Sequence, residues 1–249
     1  MSMVKVLSEY ILSLGQEAYI PNFFCKAYRP VLYIPSKEEV KELLQKMDIR
    51  TSHNSEQFRL DRECKILFLL YFCCGLRLSE GRLLKWEHID LDKGILTVLG
   101  SKGNKDRLVY LPQDSLPVLK NYKERQEMLF PGIDWAFPGK DPHKPVSCSG
   151  VESSFNRHWA MLPVARTVDK HPTPHCLRHA FVVERFNEWM HQGIDTNTML
   201  PYLSRYLGHK SPDETYYYYH LVEKAFDTIR EKDSVSGKVL SLIHISEPT

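Results

Sequence analysis

Residues 66–80 read Ile66-Leu67-Phe68-Leu69-Leu70-Tyr71-Phe72-Cys73-Cys74-Gly75-Leu76-Arg77-Leu78-Ser79-Glu80, and this stretch decides the class of fold. The run from Ile66 to Cys74 has no polar interruption, which suits a helix buried on all sides. Gly75 follows where a helix commonly ends in a left-handed residue. Ser79 can then cap a second, short helix reaching Trp86, which leaves Arg77 in the break between the two. The apolar run falls far short of the roughly 20 residues that span a bilayer, so it reads as the interior of a helical domain.

Outward from this core the signals stay mostly helical. Upstream, Thr51 to Gln57 reads as a polar loop. Ser36 and Glu39 form an S-x-x-E capping box, followed by Val40, Leu43, Leu44 and Met47 at helical spacing. Residues 1 to about 30 read as helical pieces with aromatics but no complete apolar face. Downstream the period changes: Ile95, Thr97 and Val98 face Leu108, Val109 and Tyr110 across the polar turn Gly100-Ser101-Lys102-Gly103-Asn104-Lys105. Such a pair of β-formers around glycines predicts a β-hairpin. Helices return near Ser115–Leu129 and Val151–Leu162. In the last third, Thr173-Pro174 opens a helix with Pro in its first turn. A second helix runs to about Leu207 and closes at Gly208, and Ser211-Pro212-Asp213-Glu214 opens a third through another capping box. The expected class is mainly α with one small antiparallel β-sheet (α+β).

Composition narrows the function. Of 249 residues, 43% are apolar and 26% charged, which is ordinary globular usage. Lys plus Arg number 33 against 31 Asp plus Glu, a formal charge of +2, which excludes a histone-like polycation. A basic surface therefore has to be local. The six cysteines, Cys25, Cys64, Cys73, Cys74, Cys148 and Cys176, show no C-x-x-C spacing. With no signal-peptide pattern at the N-terminus, the expectation is a reduced, cytoplasmic protein.

Four segments concentrate polar groups where packing does not need them: Gly75 to Glu80; the hairpin tip with Lys102, Lys105 and Arg107; His175-Cys176-Leu177-Arg178-His179; and Leu207-Gly208-His209 ahead of Tyr216-Tyr217-Tyr218-Tyr219. The third segment is the most informative. His175 and Arg178 share a helix face near an N-terminus, whose free N–H groups favour an anion, and a guanidinium fork there suits a pair of phosphate oxygens. A helix cap with a surface arginine is the plain alternative. His175 and His179 at i, i+4 also have the spacing of a zinc pair, without the neighbouring glutamate of a metalloprotease motif or an obvious third ligand.

The order R…K…H-x-x-R…H…Y in these settings resembles the tyrosine recombinase (phage integrase) family, over about residues 33 to 228. The resemblance implies the catalytic-domain fold of that family and a site-specific recombinase of a mobile element. Such an enzyme cleaves and rejoins duplex DNA through a 3′-phosphotyrosine, with neither ATP nor metal as cofactor. It assigns Arg77 and Arg178 to the non-bridging oxygens of the scissile phosphate and Lys102 to protonation of the leaving 5′-hydroxyl. His175 would assist proton removal from the nucleophile, and His209 would hydrogen-bond the phosphate. Glu80 would steady the site from behind, and Tyr218 would be the nucleophile, with Tyr217 and Tyr219 as neighbouring alternatives. Lys105 competes with Lys102, because Ser101 adds one residue to the hairpin.

The same resemblance divides the chain. Residues 33–235 would be the catalytic domain and residues 1–32 the remnant of an incomplete N-terminal core-binding region. Residues 236–249 would form a tail, of which 240–249 resembles translated read-through of a sequencing adapter. The expected DNA-binding face uses Lys105, Arg107, Lys170, Arg185, Arg205 and Lys210 with the catalytic cations. The expected partners are duplex DNA and further copies of the chain, a monomer when free and a tetramer on paired sites. Two other readings stay open: a type IB topoisomerase-like relaxase, and a truncated, non-catalytic DNA-binding relic.

Overall fold

The structure is a computed structural model and describes residues 3–20, 33–49, 53–101, 105–169, 171–209 and 211–218. The chain divides into two compact units, one ending at Val31 and the other beginning at Leu32. The first contains helix α1 (Met3–Ser13). All remaining elements belong to the second.

The second unit opens with α2 (Lys37–Lys46), entered through a complete capping box. The Ser36 hydroxyl accepts from the Glu39 N–H, and the Glu39 carboxylate accepts from the Ser36 N–H. The long helix α3 (Ser55–Cys74) begins inside the stretch Thr51 to Gln57 expected as a loop, because the Asn54 side chain accepts from the N–H groups of Glu56 and Gln57. What reads as the end of a polar loop is thus the first turn of a helix. Leu67, Phe68, Leu70 and Tyr71 are fully enclosed, as an apolar run at the centre of a domain requires.

Helix α4 (Leu78–Arg82) is shorter than expected and starts differently. Its N-cap is Arg77, Ser79 lies inside the helix, and a separate 3-10 turn occupies Trp86–His88. The reason is Glu80, whose carboxylate satisfies the Arg77 N–H and leaves no capping task for Ser79.

Among the described residues the sheet has three antiparallel strands, β1 (Ile89–Asp90), β2 (Ile95–Ser101) and β3 (Lys105–Tyr110), in the order β1-β2-β3. The hairpin register pairs Leu96 with Val109 and Val98 with Arg107. Leu96, Val98 and Val109 face the core, whereas Leu108 and Tyr110 face outward. The short β1 carries no strand signal of its own and forms because β2 offers it an edge.

Helices α5 (Leu116–Leu129), α6 (Cys148–Trp159), α7 (His175–His191), α8 (Thr196–Leu207) and the short α9 (Asp213–Tyr216) complete the unit. Helix α7 is central: it packs on α3, α2 and α8, and its run Cys176 to Val182 is buried throughout. A second apolar cluster joins Phe181, Val182 and Phe186 of α7 to Leu200, Leu203 and Leu207 of α8 and to the ring of Tyr218. No helix among the described residues is long and apolar enough to cross a membrane. Lys102, Lys170, Lys210, Tyr219 and the tail expected at 236–249 lie outside the described residues.

Candidate active site

Two helix ends create the frame. Helix α3 stops at Gly75 with φ 63°, and α8 stops at Gly208 with φ 67°. Each end exposes carbonyl oxygens that no intrahelical N–H reaches, at the negative pole of its helix. Arginines fill that demand. Arg178, on the first turn of α7, donates through Nη1 to the Gly75 carbonyl and through Nη2 to the Leu207 carbonyl at 2.8 Å. Arg77 donates through Nη2 to the Gly208 carbonyl at 2.6 Å. Residues separated by about a hundred positions are thus joined at one point.

Glu80 organises the cations from below. It accepts from the Arg77 backbone N–H at 2.7 Å and from Arg77 Nη1 at 2.8 Å. Arg107 grips both of its oxygens, at 2.8 and 2.7 Å, and donates through Nε to the Tyr206 carbonyl. Arg178 Nη1 lies 3.9 Å from the same carboxylate. Burial works against the charge on Glu80, but the hydrogen bonds from Arg107 and Arg77 outweigh it and hold the pKa down at about 2. Three guanidinium groups around one carboxylate leave an excess of positive charge facing the histidines.

The imidazoles line the other side. His209 Nε2 lies 3.0 Å from Arg178 Nη2, and its Nδ1 lies 2.7 Å from the Thr215 hydroxyl. A guanidinium can only donate, so His209 Nε2 is the acceptor and Nδ1 carries the proton. Burial, reinforced by Arg178, Arg77 and Arg107, pushes the His209 pKa down to about 3. His179 Nδ1 lies 2.5 Å from the Tyr218 hydroxyl, and its ring meets that of His175 edge to face at 4.7 Å. Burial, with His175 and Arg178 adding, lowers the His179 pKa to about 3. His175 is exposed at the mouth of the site, with its ring against that of His179. Desolvation there and the charges of Arg178 and Arg77 lower its pKa to about 4. Tyr218 is buried, and burial raises its phenol pKa to about 12 although Arg178 pulls the other way. All these groups but the arginines and Glu80 are therefore neutral at neutral pH.

Of the residues expected from sequence, Arg77, Arg178, His175, His209, Glu80 and Tyr218 come together here. Tyr216 is exposed and Tyr217 half-buried; among the described tyrosines of the block, Tyr218 alone bonds a site histidine. Arg107 departs from its expected place on an outer DNA-binding face. It shares the inward row of β3 with Val109, so its side chain is only 10% exposed and is spent on Glu80. Arg185 lies two turns further along α7, exposed and ion-paired with Glu188 at 2.8 Å. Arg205 is exposed on α8. Lys105 lies in β3, and its side chain is outside the described set. The zinc spacing of His175 and His179 gathers no third ligand: no metal-holding group of three His, Cys, Asp or Glu exists among the described residues.

Two site residues were missed. His179 is visible in the sequence only through its i, i+4 spacing to His175, which puts the two rings on one helix face. Thr215, fully buried in a four-residue helix, carries no sequence signal that separates it from a packing threonine.

A helical domain with a small sheet, whose polar centre sets two arginines and a row of imidazoles before a buried tyrosine, has the architecture of the catalytic domain of a tyrosine-type DNA strand transferase. Residues 36–225 match the family described as "Phage integrase family", and the chain belongs to that family. Among curated proteins it is similar to the tyrosine recombinase XerC of Alcanivorax borkumensis, at 29% identity over 89% of this chain and 67% of the relative. It is also similar to the tyrosine recombinase XerA of Pyrococcus furiosus, at 32% identity over 76% of this chain and 57% of the relative. The chain thus spans well under the full length of these relatives. Among solved structures, a XerH site-specific recombinase in a post-cleavage complex with its palindromic difH substrate shares the fold, with TM-score 0.67 and 21% identity, covering 91% of this chain and 64% of that one.

Proposed function

We propose that the chain is a site-specific DNA recombinase that cleaves and rejoins duplex DNA through a 3′-phosphotyrosine formed on Tyr218. The observation that carries this reading is the convergence of Arg178 and His209, 3.0 Å apart, beside the tyrosine that His179 holds. A phosphodiester undergoing substitution concentrates charge on its equatorial oxygens, and fixed donors aimed there supply the largest catalytic contribution. Arg77 and Arg178 would take the non-bridging oxygens, and His209 would hydrogen-bond the same phosphate from Nε2 once its ring proton moves there and the Thr215 hydroxyl donates to Nδ1. Tyr218 Oη forms the bond to phosphorus as the bond to the 5′-oxygen breaks. The phenol proton leaves with assistance from His175, and Lys102 of the hairpin gives a proton to the departing oxygen. The ester conserves the energy of the broken bond, so rejoining needs no nucleotide cofactor.

Residues 33–235 act as the catalytic domain in this reading. Arg185, Arg205, Lys105, Lys170 and Lys210 contribute phosphate contacts outside the centre, so affinity for DNA falls steeply with salt. The protein works in the cytoplasm on DNA of a mobile element, and four copies assemble on two paired sites. The solved relatives bound to DNA, including a Tn1549 transposon integrase with a circular-intermediate DNA, support duplex DNA as the partner.

The test uses the full chain and a pool of nicked suicide duplexes tiled across the DNA flanking its own gene. An SDS-stable protein–DNA adduct, mapped by mass spectrometry to Tyr218 and absent in Tyr218→Phe, is expected. An adduct that survives Tyr218→Phe moves the nucleophile elsewhere, and no adduct across the whole pool defeats the reading.

A further inference from the structure

Tyr218 presents a problem that the assigned roles do not solve. Its ring is embedded in an apolar cluster with Phe181, Leu203 and Leu207, while its oxygen has to be delivered to a phosphate. A buried phenol needs a hydrogen-bond partner, and the partner it has takes no part in the chemical steps assigned above. It is His179 Nδ1, at 2.5 Å.

We propose that His179 is a positioning residue for the nucleophile, holding the Tyr218 hydroxyl on the arginine side of the site so that the attacking oxygen is delivered by the same chain that binds the phosphate. The inference rests on the recombinase reading, with Tyr218 as the nucleophile.

Three features support it. The chemistry of the pair fixes its direction: a phenol is a good donor and a poor acceptor, because its lone pair is delocalised into the ring, whereas the bare imidazole nitrogen is a strong acceptor. Tyr218 therefore donates to Nδ1, and Nε2 keeps the ring proton. Next, His179 is rigid. It is buried in the second turn of α7, one residue beyond the enclosed Arg178, and its ring stands against that of His175. A group fixed to the same helix one residue beyond the phosphate-binding arginine transmits that placement to whatever it bonds. Finally, the segment that carries the nucleophile is tied a second time, through Thr215 to His209. Two imidazoles, one on α7 and one just past the end of α8, thus hold residues 215 and 218, which fixes both the translation and the rotation of the short turn between them. Holding reacting groups in near-attack geometry is worth large factors, and a displacement of about 1 Å can cost about 10²-fold in rate.

The role assigned is geometric rather than that of a proton store. The groups facing His179 are His175, Arg178, His209 and Tyr218, and the positive field of the arginine disfavours an imidazolium there. An acceptor that stays neutral suits a latch.

The experiment measures the rate of covalent adduct formation on the suicide-duplex pool, with retention of the same DNA by fluorescence anisotropy as the binding control. His179→Ala is expected to slow adduct formation by about 10²-fold with DNA retention unchanged within about twofold. His179→Asn, whose amide lies where Nδ1 lies, is expected to recover at least about tenfold of that loss, and His179→Gln, whose amide reaches the Nε2 position instead, to stay slow. The Asn-against-Gln comparison decides the matter even if the alanine variant does not fold, since both carry a polar group of similar bulk. An alanine variant as fast as the wild type, or Asn and Gln variants equally slow, overturns the latch while Tyr218 remains the mapped nucleophile. An adduct retained by Tyr218→Phe, or none in the wild type, overturns the recombinase reading and the latch with it.

Discussion

Arg178 shows how much one side chain carries. Its fork serves the Gly75 carbonyl, the Leu207 carbonyl and His209 at once, so it caps two helix ends and orients an imidazole while keeping its charge at the centre of the site. A lysine keeps the charge and loses the fork. Arg178→Lys is therefore expected to lower adduct formation by about 10²- to 10³-fold. It should also cost roughly 1–3 kcal/mol of folding stability, since buried carbonyls lose a donor. Adduct yield and a urea melt read the two effects separately, and wild-type adduct rates in the lysine variant would show that charge alone suffices. At this scale the sequence was legible where order and residue type carry the signal, as for Arg77, His175, Arg178, His209 and Tyr218. It was misleading for Arg107, read as a surface cation beside a glycine-rich turn. The period-2 row Arg107, Val109, Leu111, with Val109 and Leu111 both buried, marks the inward side of the strand and would have turned Arg107 toward Glu80. His179 and Thr215 differ, because what makes them site residues is a contact across 39 and 6 positions respectively, and no local pattern encodes it.

Among the elements, the end of α3 is the joint on which the site depends. Gly75 sits at φ 63°, and a Cβ added there would lie 2.6 Å from Phe181 Cδ1 and 3.0 Å from Leu207 Cδ2. A side chain is opposed twice, by the left-handed backbone and by the α7–α8 packing. Gly75→Ala is expected to destabilise the fold by about 2–5 kcal/mol, from roughly 1–2 for the backbone and roughly 1–3 for overpacking. Gly132, at φ 73° with nothing within 4 Å of an added Cβ, separates the two contributions, because Gly132→Ala carries the backbone cost alone. Equal losses in the two variants, measured by urea denaturation, would remove the packing argument. The helix ends were readable because glycine chemistry is local: Gly75 and Gly208 close their helices as the sequence predicts. The start of α4 was not, because Ser79 and Glu80 are both plausible capping residues. The choice between them is made by Arg107 from a strand 27 positions away, which fixes the Glu80 carboxylate under the Arg77 N–H.

Across the whole molecule, the gathering of cations around neutral histidines ties stability to pH. His175, His179 and His209 have pKa values lowered to about 4, 3 and 3, against an ordinary value near 6.5 in the unfolded chain. Between these limits the unfolded state binds more protons than the folded one. The stabilisation that comes from keeping the rings neutral is complete above about pH 6.5 and is lost as pH falls. Glu80, lowered to about 2, adds a loss of the same sign further down, from about pH 4.5. Glu63 opposes them. Burial raises its pKa to about 7 in spite of Arg59, so its contribution is present at low pH and fades as pH rises through 7. Solvent screening at the exposed edges of His175 and His209 reduces their shares. We therefore set the net slope between pH 6.5 and 4.5 at about one proton, roughly 1.4 kcal/mol per pH unit. Urea midpoints measured at pH 7, 6 and 5 should fall steadily toward acid, and His179→Asn should flatten the slope, since one of the three non-titrating rings is gone. A midpoint that holds level or rises toward pH 5 would mean that the imidazoles take up protons in the folded state, and then the excess positive charge assigned to the site is already balanced by something other than a phosphate.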